Sequence, residues 1–248
     1  MPRRSRATAA AICLIAFLGP FLGAVPGLPL PESAAQTLSD LAAVSRSARS
    51  GLFDSVEFSN SSLEALPQWN RVIRKMRREG AAFAACVADE SQCHNAPQRA
   101  WRKLLAQASR LDRKERIESV NNFFNRWPYK LDSELYGVSE YWATPAEFMA
   151  RSGDCEDYAI AKFFALRQLG FDNEALRIVI LWDQIRATGH AVLAVYEPEG
   201  VIILDSLSGL IVPDSRYHHY IPQYSMNETT RWSHVHSKKI PHAWASRN

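Results

Sequence analysis

Three residues in the second half of the chain have the types and placement for nucleophilic catalysis: Cys155, His190 and Asp205. A thiolate that attacks a carbonyl needs a neighbouring imidazole to take up its proton and later return it. The imidazole in turn needs a third group to hold its tautomer. Cys155 lies within G-D-C-E-D at 153–157. Asp154 there reads as a helix N-cap and Asp157 as its capping-box partner, which sets the thiol at the positive end of a helix dipole, where ionisation is favoured. Each residue alone has an ordinary structural explanation: a small core thiol, a satisfied histidine, a turn aspartate. The set stands apart because all three members fall at the ends of expected elements.

Those elements follow from periodicity. Tyr158, Phe163, Leu166 and Leu169 mark the apolar positions of a helix that stops at Gly170. The pattern then changes to extended segments rich in β-branched residues at 175–182 (ALRIVILW), 190–197 (HAVLAVYE) and 201–205 (VIILD), which predict three strands. Glu197-Pro198-Glu199-Gly200 is a tight reversal, so the last two strands should form an antiparallel hairpin. In such a hairpin the start of one strand lies beside the end of the next, bringing His190 next to Asp205. Leu210 to Val212 could add a short edge strand, and the tail from Ser237 has no strong pattern.

The first half reads as helical scaffold. A stretch from Thr37 to Ser50 fits a short helix or a lead-in, and a firmer helix is expected from Ser61 or Ser62 to Gly80. Its opposite face carries Arg71, Arg74, Lys75, Arg77 and Arg78, which read as a solvated surface with cations toward the helix C-terminus. Pro97–Ser109 and Arg113–Arg126 predict two further helices, the second stopped by Pro128.

The amino terminus has the pattern of a secretory signal: Arg3, Arg4 and Arg6, then an uncharged stretch from Ala7 to Pro31, then the small residues Ser33-Ala34-Ala35. Pro20 and the flanking glycines make its apolar run short for a bilayer span. The chain has 29 basic and 26 acidic residues. Cleavage after Ala35 would remove three arginines and Glu32, leaving a nearly neutral protein with no field suited to nucleic acid. Cys13 would leave as well, so Cys86, Cys93 and Cys155 remain. In an exported protein this odd count fits one pair and one free thiol, although Cys86 and Cys93 fit separate buried thiols equally well. The expected organisation is a signal peptide at 1–35, a helical region at 36–112 and a catalytic core at 113–248 that forms one globular domain with the preceding helices.

The order Cys, His, Asp on helix, strand and strand resembles the papain/transglutaminase-like cysteine protease fold, an α+β architecture with N-terminal helices and a catalytic helix packed against a small antiparallel sheet. In detail the chain is similar to the bacterial transglutaminase-like cysteine proteases of the LapG type. The residues that carry the likeness are V-N-N-F-F-N at 120–125, Y-W-A-T-P at 141–145, G-D-C-E-D-Y-A-I-A-K at 153–162, G-H-A-V-L at 189–193, V-I-I-L-D at 201–205 and M-N-E…W at 226–232. This resemblance implies a periplasmic, Ca2+-dependent endopeptidase that cuts the N-terminal region of a large surface adhesin and so promotes biofilm dispersal. It also implies an inhibitor, the periplasmic domain of an inner-membrane cyclic di-GMP receptor, as partner.

The calcium expectation has a physical side too. Asp154, Glu156 and Asp157 crowd Cys155 with negative charge and oppose the helix dipole, so a hard cation held by Asp154 and Glu156 would cancel their field. Helix capping alone is the competing explanation for these acids. Trp142, just before the catalytic helix, fits a partly buried core residue, a cleft wall or an anchor for the inhibitory partner. Two further functions share the fold: an acyl transferase of the transglutaminase type, and a binding module without catalysis.

Overall fold

The computed structural model describes residues 51–236; the expected signal segment, the Thr37–Ser50 stretch and the tail from Ser237 lie outside the described residues. Everything described belongs to one compact unit. Its helices are α1 (Pro67–Ala88), α2 (Ala96–Ala108), α3 (Arg113–Phe124), the single turn α4 (Asp132–Leu135), α5 (Pro145–Arg151) and α6 (Cys155–Gln168). The strands are β1 (Val56–Asn60), β2 (Leu176–Asp183), β3 (Thr188–Glu197), β4 (Gly200–Leu204), β5 (Val212–Pro213), β6 (Tyr220–Met226) and β7 (Arg231–Val235). They form one antiparallel sheet in the order β1-β7-β6-β2-β3-β4-β5. Among the described residues no helix is long and apolar enough to cross a membrane.

The sheet's central strands are covered on both faces. Ile178, Leu193 and Val195 join the main core with Trp69, Phe124 and Phe163, whereas Val179, Leu181 and Val192 pack into a second cluster with Leu52 and Phe53. Covering both faces is why ALRIVILW is apolar at every position but Arg177 instead of alternating. Helix α6 is enclosed as well, since every residue from Glu156 to Leu166 is buried. A helix buried on all sides lies in the interior, with Glu156, Asp157 and Lys162 the charged residues it takes inside, so α6 is the axle of the domain. Trp69 on α1 is wholly buried against Phe163 and Phe164, and truncating it to alanine should cost about 3–5 kcal/mol.

Several boundaries differ from expectation. Helix α1 begins at Pro67, whose fixed φ suits the first helical position, and it runs through Gly80 to Ala88. One interior glycine costs about 1 kcal/mol relative to alanine, too little to end a helix continued by the alanine-rich stretch after it. Cys86, near the end of α1, is disulfide-bonded to Cys93, with Cα atoms 4.6 Å apart. The open choice between a pair and two separate thiols is thereby decided, and among the described residues Cys155 is the free cysteine.

Strands β1, β6 and β7 went unanticipated. β1 is short and mostly exposed, and β6 contains Pro222, which argues against a central strand. The proline fits because the β2–β6 register shifts between Ile180 and Leu181, next to the position where Pro222 lies opposite Leu181.

Candidate active site

Asp154 is the N-cap of α6, and Asp157 closes a capping box on it. The Asp157 carboxylate accepts from the Asp154 N–H at 3.3 Å and from the Ala143 N–H at 2.6 Å, tying the Y-W-A-T-P segment to the helix start. Gly153 is required by this arrangement, because a Cβ there would run into the Asp157 carboxylate.

The Cys155 thiol donates to Glu156 Oε2 at 3.3 Å. The Ala191 backbone of β3 and the Tyr129 side chain lie close enough to the sulfur to act on it electrostatically. Since Ala191 follows His190 directly, the sulfur rests against the part of β3 that carries the imidazole. Burial pushes the thiol well above its ordinary pKa, and the Glu156 and Asp154 charges push the same way. These effects outweigh the helix dipole invoked for the sequence.

The hairpin register places Leu193 opposite Leu204; from that pair β3 runs back to His190 and β4 runs on to Asp205, so both reach the same end. His190 Nε2 lies 2.9 Å from Asp205 Oδ1, with the two side chains only 1% and 2% exposed. Asp205 Oδ1 also accepts the Leu207 N–H at 2.9 Å, and Oδ2 accepts the Tyr220 hydroxyl at 2.6 Å. Burial alone would raise the Asp205 pKa, but the bonds from His190, Leu207 and Tyr220 hold it below its ordinary value. With Nε2 occupied by Asp205, Nδ1 is the nitrogen left to exchange a proton with a thiol.

The backbone of Asp205 is anchored from behind. Its carbonyl accepts from Lys162 Nζ at 3.1 Å and Asn125 Nδ2 at 2.8 Å. Lys162 is fully buried on α6, and burial pulls its ammonium down to about 7 against the pull of Asp205. Asn125 and Lys162 lie inside sequence motifs quoted above, yet nothing in their spacing assigns them this role. Tyr220 had no local signal at all, since it reaches Asp205 only through the sheet order.

A group of carboxylates lies next to the thiol. Asp132, Asp154 and Asp157 can each bring one oxygen within 4.8 Å of the others, and all three are buried. Asp154 also belongs to a second grouping with Cys155 and Glu156. Two oxygens, Asp132 Oδ1 and Asp154 Oδ1, are buried with no hydrogen-bond partner. Burial and the Asp154 charge push Asp132 up to about 6, and burial likewise raises Asp154, Glu156 and Asp157. Clustered carboxylates with unmet lone pairs are what a hard cation with oxygen ligands needs, so this donor set fits calcium. Asp132, on the single turn α4, was missed, because no spacing rule links it to the G-D-C-E-D turn.

Trp142 fits the core reading among the alternatives given for it. Its ring is 2% exposed within the main core, its Nε1 donates to Glu140 at 2.9 Å, and its carbonyl accepts from Arg71 at 2.8 Å.

Residues 78–240 match the family described as bacterial transglutaminase-like cysteine proteinase, BTLCP. The chain belongs to this family. Solved structures agree in fold and sequence: Legionella pneumophila LapG is 32% identical, covering 59% of this chain and 85% of its own, with a TM-score of 0.52. Calcium-bound LapG from the same organism is 32% identical, covering 64% and 93%, with a TM-score of 0.53. The EGTA-treated form is 30% identical, covering 62% and 87%, also at 0.53. No curated protein matches the chain. A cysteine proteinase of this transglutaminase-like family requires a nucleophilic cysteine, and among the described residues Cys155 is the free one.

Proposed function

We propose that this protein is a Ca2+-dependent periplasmic cysteine endopeptidase with Cys155 as nucleophile, His190 as general acid and base, and Asp205 as the group that orients the imidazole. The observation that carries this reading is the buried His190–Asp205 pair at 2.9 Å, set at the strand end against which the Cys155 thiol rests. Family membership supports the reaction class.

In this mechanism His190 Nδ1 takes the Cys155 proton while Asp205, braced by the Tyr220 hydroxyl, holds the ring through Nε2. The sulfur then attacks the peptide carbonyl, and the imidazolium returns its proton to the departing amine. Water, activated by the same imidazole, releases the acyl group. The Cys155 N–H, in the first turn of α6, faces the developing oxyanion. Asp154, with Asp132 and Asp157 or with Glu156, would hold calcium, which supplies positive charge that offsets the carboxylate field on the thiol. The calcium-bound neighbour supports that assignment by analogy.

Sequence resemblance supports the rest of the reading. The substrate is the N-terminal region of a large surface adhesin, the outcome is biofilm dispersal, and the inhibitor is the periplasmic domain of a cyclic di-GMP receptor. The test is to incubate the protein with an adhesin N-terminal fragment, using Cys155→Ala as control. Two shorter products lost in the variant support hydrolysis, whereas heavier species would replace it with transglutaminase-type acyl transfer. No covalent change in the fragment would leave the binding-module reading.

A further inference from the structure

We propose that the Tyr129 hydroxyl is the second oxyanion donor, acting with the Cys155 N–H on the tetrahedral intermediate. The inference deepens the proposed cysteine chemistry and rests on Cys155 as nucleophile. Three features place Tyr129. Its backbone bridges to Gly153 in parallel pairing, and the next residue's N–H donates to the Gly153 carbonyl at 2.9 Å, so the Tyr129 segment is laced to the turn that presents Cys155. Its ring stacks on Tyr158, one turn further along α6, with centroids 6.2 Å apart and planes within 16°. Its side chain lies near enough to Cys155 for the two to interact. The residue is nevertheless 46% exposed, so it borders solvent where a substrate would enter.

A neutral phenol has one O–H to donate. In the resting protein that group can rest on the sulfur. When the Sγ–C bond forms, the carbonyl π pair moves onto the substrate oxygen and the thiol proton passes to His190. The negative charge is now on an atom bonded to the carbon that the sulfur has attacked, so a small torsion re-aims the phenol O–H to it. Collapse returns the electron pair to the carbonyl, breaks the C–N bond, and sends the imidazolium proton to the amine. The phenol keeps its proton throughout. The first-turn N–H of α6 and the Tyr129 hydroxyl then approach the oxyanion from two elements that the 129–153 bridge holds together.

The experiment compares two reactions of Cys155 in the calcium-loaded protein and in Tyr129→Phe. Acylation by p-nitrophenyl acetate passes through an oxyanion and is read from the p-nitrophenolate burst. Alkylation by iodoacetamide displaces iodide and forms no oxyanion. In Tyr129→Phe, acylation should fall about 100-fold, as expected for one lost donor, while alkylation stays within about twofold. Equal falls in both rates would mean that the phenol tunes the thiol instead, and unchanged acylation would remove any catalytic role; either overturns the inference. Adhesin cleavage is scored separately. A protein that acylates normally yet leaves adhesin intact contradicts the proposed substrate and not the donor.

Discussion

His190 Nε2 and Asp205 Oδ1 meet at 2.9 Å in a pocket closed to solvent, and Tyr220 caps the other carboxylate oxygen at 2.6 Å. Asp205 therefore acts on the imidazole from a fixed position. Asp205→Asn should preserve the fold and lower kcat by about 10³–10⁴-fold, because an amide stabilises the wrong tautomer and no imidazolium. Tyr220→Phe, which removes one bond to Asp205, should lower it only about tenfold. Initial-rate kinetics on a peptide substrate read both values, and a stronger effect at Tyr220 than at Asp205 would reverse their roles.

Calcium held by the carboxylates beside Cys155 would bind with a pH dependence that they set. Asp132 is pushed up to about 6 by burial and Asp154, so ionising it in the cation-free fold destabilises the protein as pH rises from its ordinary value through about 6. A bound cation reverses that cost and must compete with the same protons. The rise in Tm produced by calcium should thus be large at about pH 7.5 and less than half as large at about pH 5. Asp132→Asn should shrink the rise and flatten its pH dependence. A calcium effect independent of both pH and Asp132 would place the ion elsewhere.

Lys162 gives the opposite slope. The unfolded lysine keeps its proton to about 10.5, whereas burial lets the folded one release it at about 7. Between these values the unfolded chain binds more protons, so this group makes stability rise with pH. Lys162→Met should abolish that increment in urea unfolding compared at about pH 7 and about pH 9.5. Equal slopes for the two proteins would show the lysine charged throughout.

The Cys86–Cys93 bridge closes a short loop far from the chemistry in sequence. Replacing both cysteines by serine should cost about 2–3 kcal/mol of stability through loop entropy while leaving kcat/KM unchanged. Denaturation and kinetics measured together test this, and a matching loss of activity would tie the loop to the site.

What the sequence disclosed was local or hairpin-like. The α6 cap, the Gly170 stop and the β3–β4 reversal each rest on a few adjacent residues, and together they bring His190 to Asp205. What stayed hidden depends on long-range pairing. Strand β6 carries a proline that signals against a strand and is accommodated only by the shift opposite β2. Tyr220 meets Asp205 through that same sheet, and Asp132 meets Asp154 and Asp157 only across the intervening segment that contains α5. The sequence left the place of Trp142 open between core, cleft wall and anchor, because its burial comes from helices distant in sequence.

The most direct test is cleavage of the adhesin N-terminal region by the protein with EGTA, after restoration of calcium, and with Cys155→Ala in calcium. Two shorter fragments should form only when calcium and Cys155 are both present, vanish with EGTA and return with calcium. Cleavage that persists in EGTA or in Cys155→Ala would contradict a calcium-dependent cysteine endopeptidase.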